Sequence, residues 1–490
     1  MNRETIEQTS RSLSKPTAES TSEPTANLAR RSFFLGAAGA STLLLTGPAR
    51  PARATPSGRS GSGSGSSFAN DIRSKIVGLD AEVTMRNGSK APLINFDNAA
   101  TTPAFTSVLK EVNAQLEFYA SIGRGFGQKS KHSTEIYENG RQIVMDFVNA
   151  DREHYTVFYV NNTTDGMNKL SSALITSKSD IVLTSRMEHH ANDLPWRKRA
   201  TTIYAEVDSL GRLVLSDIER LLSKNNVKYV SITAASNVTG YVNDVHAIAR
   251  LAHQYHAQIV VDGAQIVAHK PFSMRGQSAD ENIDYVVFSA HKMYAPYGGG
   301  AVVGLTDELN KHLPEFYGGG MVDVVSDYTE IYPDAPARYE AGSPNYPGVV
   351  AMLKAMDILK ETGFDYIVEH EQYLMRKTIA GLQAISRVTL YSDTENIADK
   401  VGIVVFNIAG KPHGEVAQEM AKKRAIAVRQ GAFCSHPYVW RLLRIPNNEI
   451  LQLMQTPNTA LPGMVRVSFG IYNNDEEVDA LVETVREIAG

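Results

Sequence analysis

The chain holds a single cysteine, Cys434, among 490 residues, so no internal disulfide can form. Cationic surplus is absent too. Lys and Arg number 49 against 53 Asp and Glu, a formal charge of −4, which gives no footprint for nucleic acid or an anionic membrane surface. The apolar stretch from Phe33 to Leu45 is short and rich in Gly and Ala, so stable membrane insertion is not expected. A metal centre finds no support either, because no third ligand stands out beside His189-His190 and the only Cys is far off in sequence. With 43% hydrophobic and 21% charged residues, what remains is an ordinary globular composition with room for a large core and two domains.

The N-terminal region reads as a targeting segment. Arg30-Arg31-Ser32-Phe33-Phe34-Leu35, the apolar stretch to Leu45 and the small-residue site Ala52-Arg53-Ala54 predict a twin-arginine export signal over residues 1–54. The protein is therefore expected in the periplasm or outside the cell. Residues 55–92 read as a linker, Gly/Ser-rich from Gly58 to Ser67, and an N-terminal segment.

The richest chemistry surrounds one amine. The apolar run Tyr285-Val286-Val287-Phe288 ends in Ser289-Ala290-His291-Lys292. A lysine just past a buried strand is desolvated, which favours the neutral amine that adds to an aldehyde. Thirty residues upstream (292 − 262), Ile259-Val260-Val261 ends in Asp262-Gly263-Ala264-Gln265. An aldehyde-trapping lysine and a carboxylate able to pair with a pyridinium nitrogen form the pattern of a pyridoxal-phosphate site.

Other motifs fall at comparable places. The β-rich run Tyr155–Val160 leads into Asn161-Asn162-Thr163-Thr164 and a helical stretch. That turn is either an anion site at a helix N-terminus or a plain cap by Thr163 or Thr164. Strand-like runs recur at Ile181–Thr184 and Val230–Thr233, with helical stretches such as Val245–His256 between some of them. Short apolar strands alternating with helices predict a parallel sheet covered on both faces, with ligands beyond the strands' carboxyl ends. A long helix is expected from Pro347 to about Ile385, then shorter elements ending in a helix near Glu476–Ile488. The expected fold is α/β, with a large domain over 93–345 and a small C-terminal α+β domain over 346–490.

On these residues the chain, from Leu93 to Ile488, resembles the class V aminotransferase-fold (type I) pyridoxal-phosphate enzymes, and within them the SUF-type cysteine desulfurase and selenocysteine lyase branch. The resemblance implies that His189, in Glu188-His189-His190-Ala191-Asn192, stacks on the cofactor ring and moves protons. Asp262 would pair with the ring nitrogen, Gln265 with the phenolic oxygen, and Lys292 with the aldehyde carbon. Thr163, Thr164, Ser289 and His291 would hold the phosphate. Asn237, in Ser236-Asn237, would lie near the cofactor and the substrate carboxylate. Arg338–Asn345 is similar to a loop whose hydroxyl, here Ser343, reaches the other subunit's phosphate, implying a homodimer. Arg429-Gln430-Gly431-Ala432-Phe433-Cys434 is similar to the branch's Arg-x-Gly-x-x-Cys segment, and the resemblance implies that Arg429 clamps the carboxylate of an L-amino acid and Cys434 accepts its sulfur. Ala432-Phe433 departs from the His pair usual there. The implied activity converts L-cysteine to L-alanine, with sulfur passing to Cys434 and on to an acceptor protein. An epimerase like isopenicillin N epimerase, or a lyase on another amino acid, is the alternative.

Overall fold

A computed structural model of the protein describes residues 71–85, 87–456 and 461–490; the expected export signal and Gly/Ser stretch lie outside them. The large sheet has seven strands: β1 (Tyr155–Val160), β2 (Ile181–Ser185), β3 (Thr201–Ala205), β4 (Val227–Thr233), β5 (Gln258–Asp262), β6 (Tyr285–Ser289) and β7 (Gly300–Leu305). Their spatial order is β1-β7-β6-β5-β4-β2-β3. Five neighbours from β6 to β3 run parallel, while β7 is antiparallel to both β1 and β6. Every residue of β1 and β6 is buried, as continuous apolar runs require when both faces are covered.

Helices α1 (Gln128–Phe147) and α2 (Thr163–Leu174) belong to this layered body. Helix α2 comes unusually close to the sheet. A Cβ on its Gly166 would sit 2.4 Å from Val287 Cγ1 on β6, so only glycine permits the approach. The expected single helix from Pro347 to Ile385 is two, α3 (Tyr346–Thr362) and α4 (Phe364–Gln383). Gly363, at φ 86°, takes the left-handed conformation that ends the first.

The C-terminal part carries a second sheet of β8 (Val388–Tyr391), β9 (Ile403–Ile408), β10 (Arg429–Gly431) and β11 (Met464–Ser468), in the antiparallel order β8-β9-β11-β10. Its apolar core includes Leu374 of α4, Phe406, Val465, Met420 of α5 (His413–Arg424) and Leu481 of α6 (Asp475–Ala489). Residues 94–98, at the start of the expected large domain, pack here instead. Ile94 and Asn95 pair in parallel with Ile426 and Ala427, and Phe96 is buried in the small core. No helix among the described residues is long and apolar enough to cross a membrane.

Candidate active site

Strand ends of the large sheet and the β10–β11 connection of the small one converge on a cavity of about 480 Å³. Eleven of the twelve expected site residues line it: Thr163, Thr164, His189, Asn237, Asp262, Gln265, Ser289, His291, Lys292, Arg429 and Cys434. The twelfth, Ser343, is exposed and lines a separate cavity of about 140 Å³ with Gly298, Glu340 and Asn345.

Lys292 follows β6 on a single short turn, Ala290–Lys292. Enclosure pushes its amine down to about 8, against the pull of the Asp262 carboxylate. Asp262 ends β5 almost fully buried; its Oδ1 accepts the Ala264 N–H at 2.9 Å, and burial raises its carboxyl. A buried carboxyl raised in this way is stabilised as an anion by any cation brought against it. His189 accepts the Ala191 N–H on Nδ1 at 3.0 Å, so its own proton sits on Nε2. Burial and the Lys292 charge hold its pKa near 3, so the imidazole is neutral at pH 7.

At the start of α2 the cap is Asn162, whose Oδ1 accepts the Asp165 N–H at 3.0 Å. Neither Thr163 nor Thr164 caps the helix. The Ser289 hydroxyl accepts the Thr163 N–H at 2.7 Å and pairs with Thr163 Oγ1 at 2.7 Å, tying the ends of β1 and β6 together. Gln265 donates Nε2 to the Ala99 carbonyl at 2.9 Å, while its buried Oε1 has no partner.

Two findings were not expected. Arg466, on β11, enters the cavity wall almost fully buried. Its Nη1 donates to the Asn237 carbonyl at 2.8 Å and its Nη2 to Asp97 Oδ1 at 3.0 Å, leaving Nε without a partner. Arg429 lies directly opposite it across β10 and β11, half-exposed, with Nη1 3.8 Å from Asp97 Oδ2. Asp97 thus separates two like charges that would otherwise repel across the pair. The second finding is Asn237. Its Nδ2 donates to the Phe433 carbonyl at 2.7 Å and its Oδ1 accepts the Ser435 hydroxyl at 3.0 Å. Its Oδ1 and one of its two Nδ2 hydrogens are engaged by the Cys434 loop, and Arg466 and Arg429 are the guanidinium cations here able to take a carboxylate. The Cys434 thiol itself is exposed in the cavity wall.

Residues 94–481 match the family "Aminotransferase class-V". The chain belongs to this family. It is 32% identical over 426 residues to a cysteine desulfurase of Escherichia coli O127:H6, covering 84% of this chain and 97% of the relative. A cysteine desulfurase of Shigella sonnei matches at the same identity and coverage. Among solved structures, an apo cysteine desulfurase from Thermococcus onnurineus NA1 superposes with a TM-score of 0.74 at 27% identity, over 86% of this chain and 98% of that one. A cysteine desulfurase from Escherichia coli, in its S-sulfonic acid form, shares the fold at a TM-score of 0.69 and 24% identity, over 86% and 98% of the two chains.

Class V aminotransferases depend on pyridoxal phosphate in general, and the cavity fits that group. A lowered amine suits an aldehyde, a raised buried carboxyl suits a ring N–H cation, and the start of α2 with its hydroxyls suits a phosphate.

Behind His189 lies Glu188, buried and accepting from Ser185 Oγ at 2.6 Å and Asn192 Nδ2 at 2.7 Å. Burial pushes its carboxyl from the ordinary 4.5 up to about 8, and Asp262 adds to the push. Between those values the native state holds a proton that the unfolded chain releases, so stability falls as pH rises. Glu188→Gln retains an acceptor for Asn192 and removes this dependence. Its melting temperature should therefore gain on the wild type between about pH 5 and about pH 8. Melts at both pH values check this; a difference between the two proteins that does not change with pH would contradict it.

Proposed function

We propose that this class V aminotransferase binds pyridoxal phosphate and desulfurates L-cysteine, releasing L-alanine and leaving the sulfur on Cys434. The observation that carries the reading is an exposed thiol in the wall of the cavity that also holds the lowered Lys292 amine and the buried Arg466 cation. Similarity to cysteine desulfurases over most of the chain supports it.

When bound, the cofactor supplies an aldehyde carbon for amines and a ring that accepts the electron pair left at the substrate α-carbon. Lys292 would hold it covalently, Asp262 would accept the ring N–H, His189 would lie against the ring, Gln265 near its phenolic oxygen, and Thr163, Thr164, Ser289 and His291 around its phosphate. Arg466, with Arg429 at the rim, takes the substrate carboxylate. Lys292 Nζ removes the α-proton and later returns one, a task suited to an amine near pH 8. The Cys434 thiolate attacks the substrate sulfur. A sulfur–sulfur bond forms, the substrate's carbon–sulfur bond breaks, and its electron pair stays on carbon, which is protonated to the methyl group of alanine. L-Cysteine and one thiol thus become L-alanine and one persulfide, with Cys434 sulfur oxidised and the substrate carbon reduced.

A second copy of the chain would bring its Ser343 loop to this site's phosphate, and an acceptor protein would collect the persulfide sulfur. Export follows from Arg30-Arg31, so Arg30→Lys with Arg31→Lys should leave the protein in the cytoplasm with activity unchanged. Normal export of that double variant in cell fractionation would remove the localisation reading. The test of the function itself is purified, cofactor-loaded protein with L-cysteine and dithiothreitol, with alanine and sulfide measured separately. Equal yields of both support the reading. Exchange of the substrate α-proton with solvent, without alanine, would assign an epimerase instead.

A further inference from the structure

The backbone that carries Cys434 is strained. Phe433 and Cys434 are both left-handed, at φ 52° and 55°, a region that residues with a Cβ seldom occupy even singly. Two in succession persist only where the surroundings dictate them. Here the surroundings act on both carbonyls: Asn237 Nδ2 donates to Phe433 O at 2.7 Å, and the His190 N–H donates to Cys434 O at 2.8 Å. The Ser435 hydroxyl donates to Asn237 Oδ1 at 3.0 Å, and the Ser435 N–H closes the turn onto Ala432 O at 2.8 Å. Beside them the His190 and His436 rings lie parallel, with Nε2 and Nδ1 3.1 Å apart, so one imidazole donates to the other.

The two sides of this contact belong to different parts of the fold. Asn237 follows β4 and His190 follows β2, whereas the Cys434 loop joins β10 to β11 of the small sheet. Asn237 is nearly buried and Ser435 is fully so, which makes these bonds hard for water to replace. Asn237 also presents its own carbonyl to Arg466, so one residue ties the thiol loop to the buried cation.

We propose that Asn237 and Ser435 form a latch that fixes the direction of the Cys434 thiol, which makes Ser435 a positioning residue for sulfur transfer. The proposal rests on the desulfurase reading for its consequence in turnover, but the latch can be measured without it. Ser435 does not line the cavity, so its hydroxyl reaches the reaction only through Asn237.

The test compares wild type, Ser435→Ala and Asn237→Ala as cofactor-loaded protein. Three quantities are read: kcat and KM for alanine formation from L-cysteine, exchange of the α-proton of L-alanine with solvent, and the rate at which iodoacetamide alkylates Cys434 without substrate. Ser435→Ala should lower kcat by about tenfold, since misplacement of a reacting group on the order of 1 Å costs up to about 100-fold. Its KM and α-proton exchange should stay at the wild-type level, and its alkylation rate should change several-fold. Asn237→Ala, which breaks both side-chain bonds, should lower kcat further. A raised KM at unchanged kcat in Ser435→Ala would show that the bond serves substrate binding and not the thiol, and would overturn the latch. If the wild type forms no alanine from L-cysteine, the desulfurase reading falls alone. Alkylation then decides the latch: equal rates in wild type and Ser435→Ala overturn it, and unequal rates support it.

Discussion

Lys292→Ala is expected to lose covalent cofactor capture and at least about 10²-fold in turnover, the lower end of what a positioned acid–base group contributes. Lys292 Nζ makes no hydrogen bond among the described residues, and its side chain lines a cavity already open, so truncation breaks no structural contact. The fold should therefore survive and the cofactor bind reversibly through its phosphate and ring contacts. The electrostatics shift in a known direction. Lys292 lowers the His189 and His291 imidazoles and offsets part of the rise at Asp262, so its loss moves all three upward. The check is borohydride reduction of loaded protein followed by peptide mass analysis. Wild type should carry the cofactor mass on the Lys292 peptide, and the variant should carry none. A variant with the wild-type visible band and wild-type turnover would remove Lys292 from its role.

The strands that build this site were legible because a fully covered strand must be apolar throughout. Tyr155–Val160 has the expected limits, and the runs at Ile181 and Tyr285 each extend one residue further, to Ser185 and Ser289. Strand β7 was not legible. It begins inside a Gly-rich turn, and nothing in Gly300–Leu305 encodes its antiparallel direction. The break at Gly363 was hidden because both flanking helices bury apolar faces, so the pattern runs through it. Lys292 and Asp262 stood out as titratable residues ending apolar strands. Arg466 carries the same kind of signal, a lone cation amid Met464, Val465 and Val467, but no neighbouring motif singles it out. The engagement of Asn237 had no sequence signal at all. It depends on the left-handed backbone of Phe433 and Cys434, and neither is a glycine or asparagine that would announce it.

For Cys434→Ala the expected loss is confined to one step. Alanine formation from L-cysteine should fall by at least about 10³-fold, on the scale of losing a covalent participant. The cofactor should bind as in wild type, because the thiol is exposed and makes no hydrogen bond among the described residues to the groups that would hold the cofactor. Stability should change little. Cysteine and alanine both carry a Cβ and meet the same left-handed backbone at φ 55°, so the strain is shared by both proteins. The field around Lys292 changes only slightly, since the Asp262 carboxylate remains to support its charge. Exchange of the α-proton of L-alanine with solvent, which needs Lys292 and no thiol, should therefore continue at the wild-type rate while sulfur transfer stops. Measuring the two rates on one preparation separates the thiol's role from general damage to the cavity. Wild-type alanine release from L-cysteine by Cys434→Ala would show that the sulfur leaves by another route, and loss of both rates together would make Cys434 part of the cavity's structure and not its sulfur acceptor.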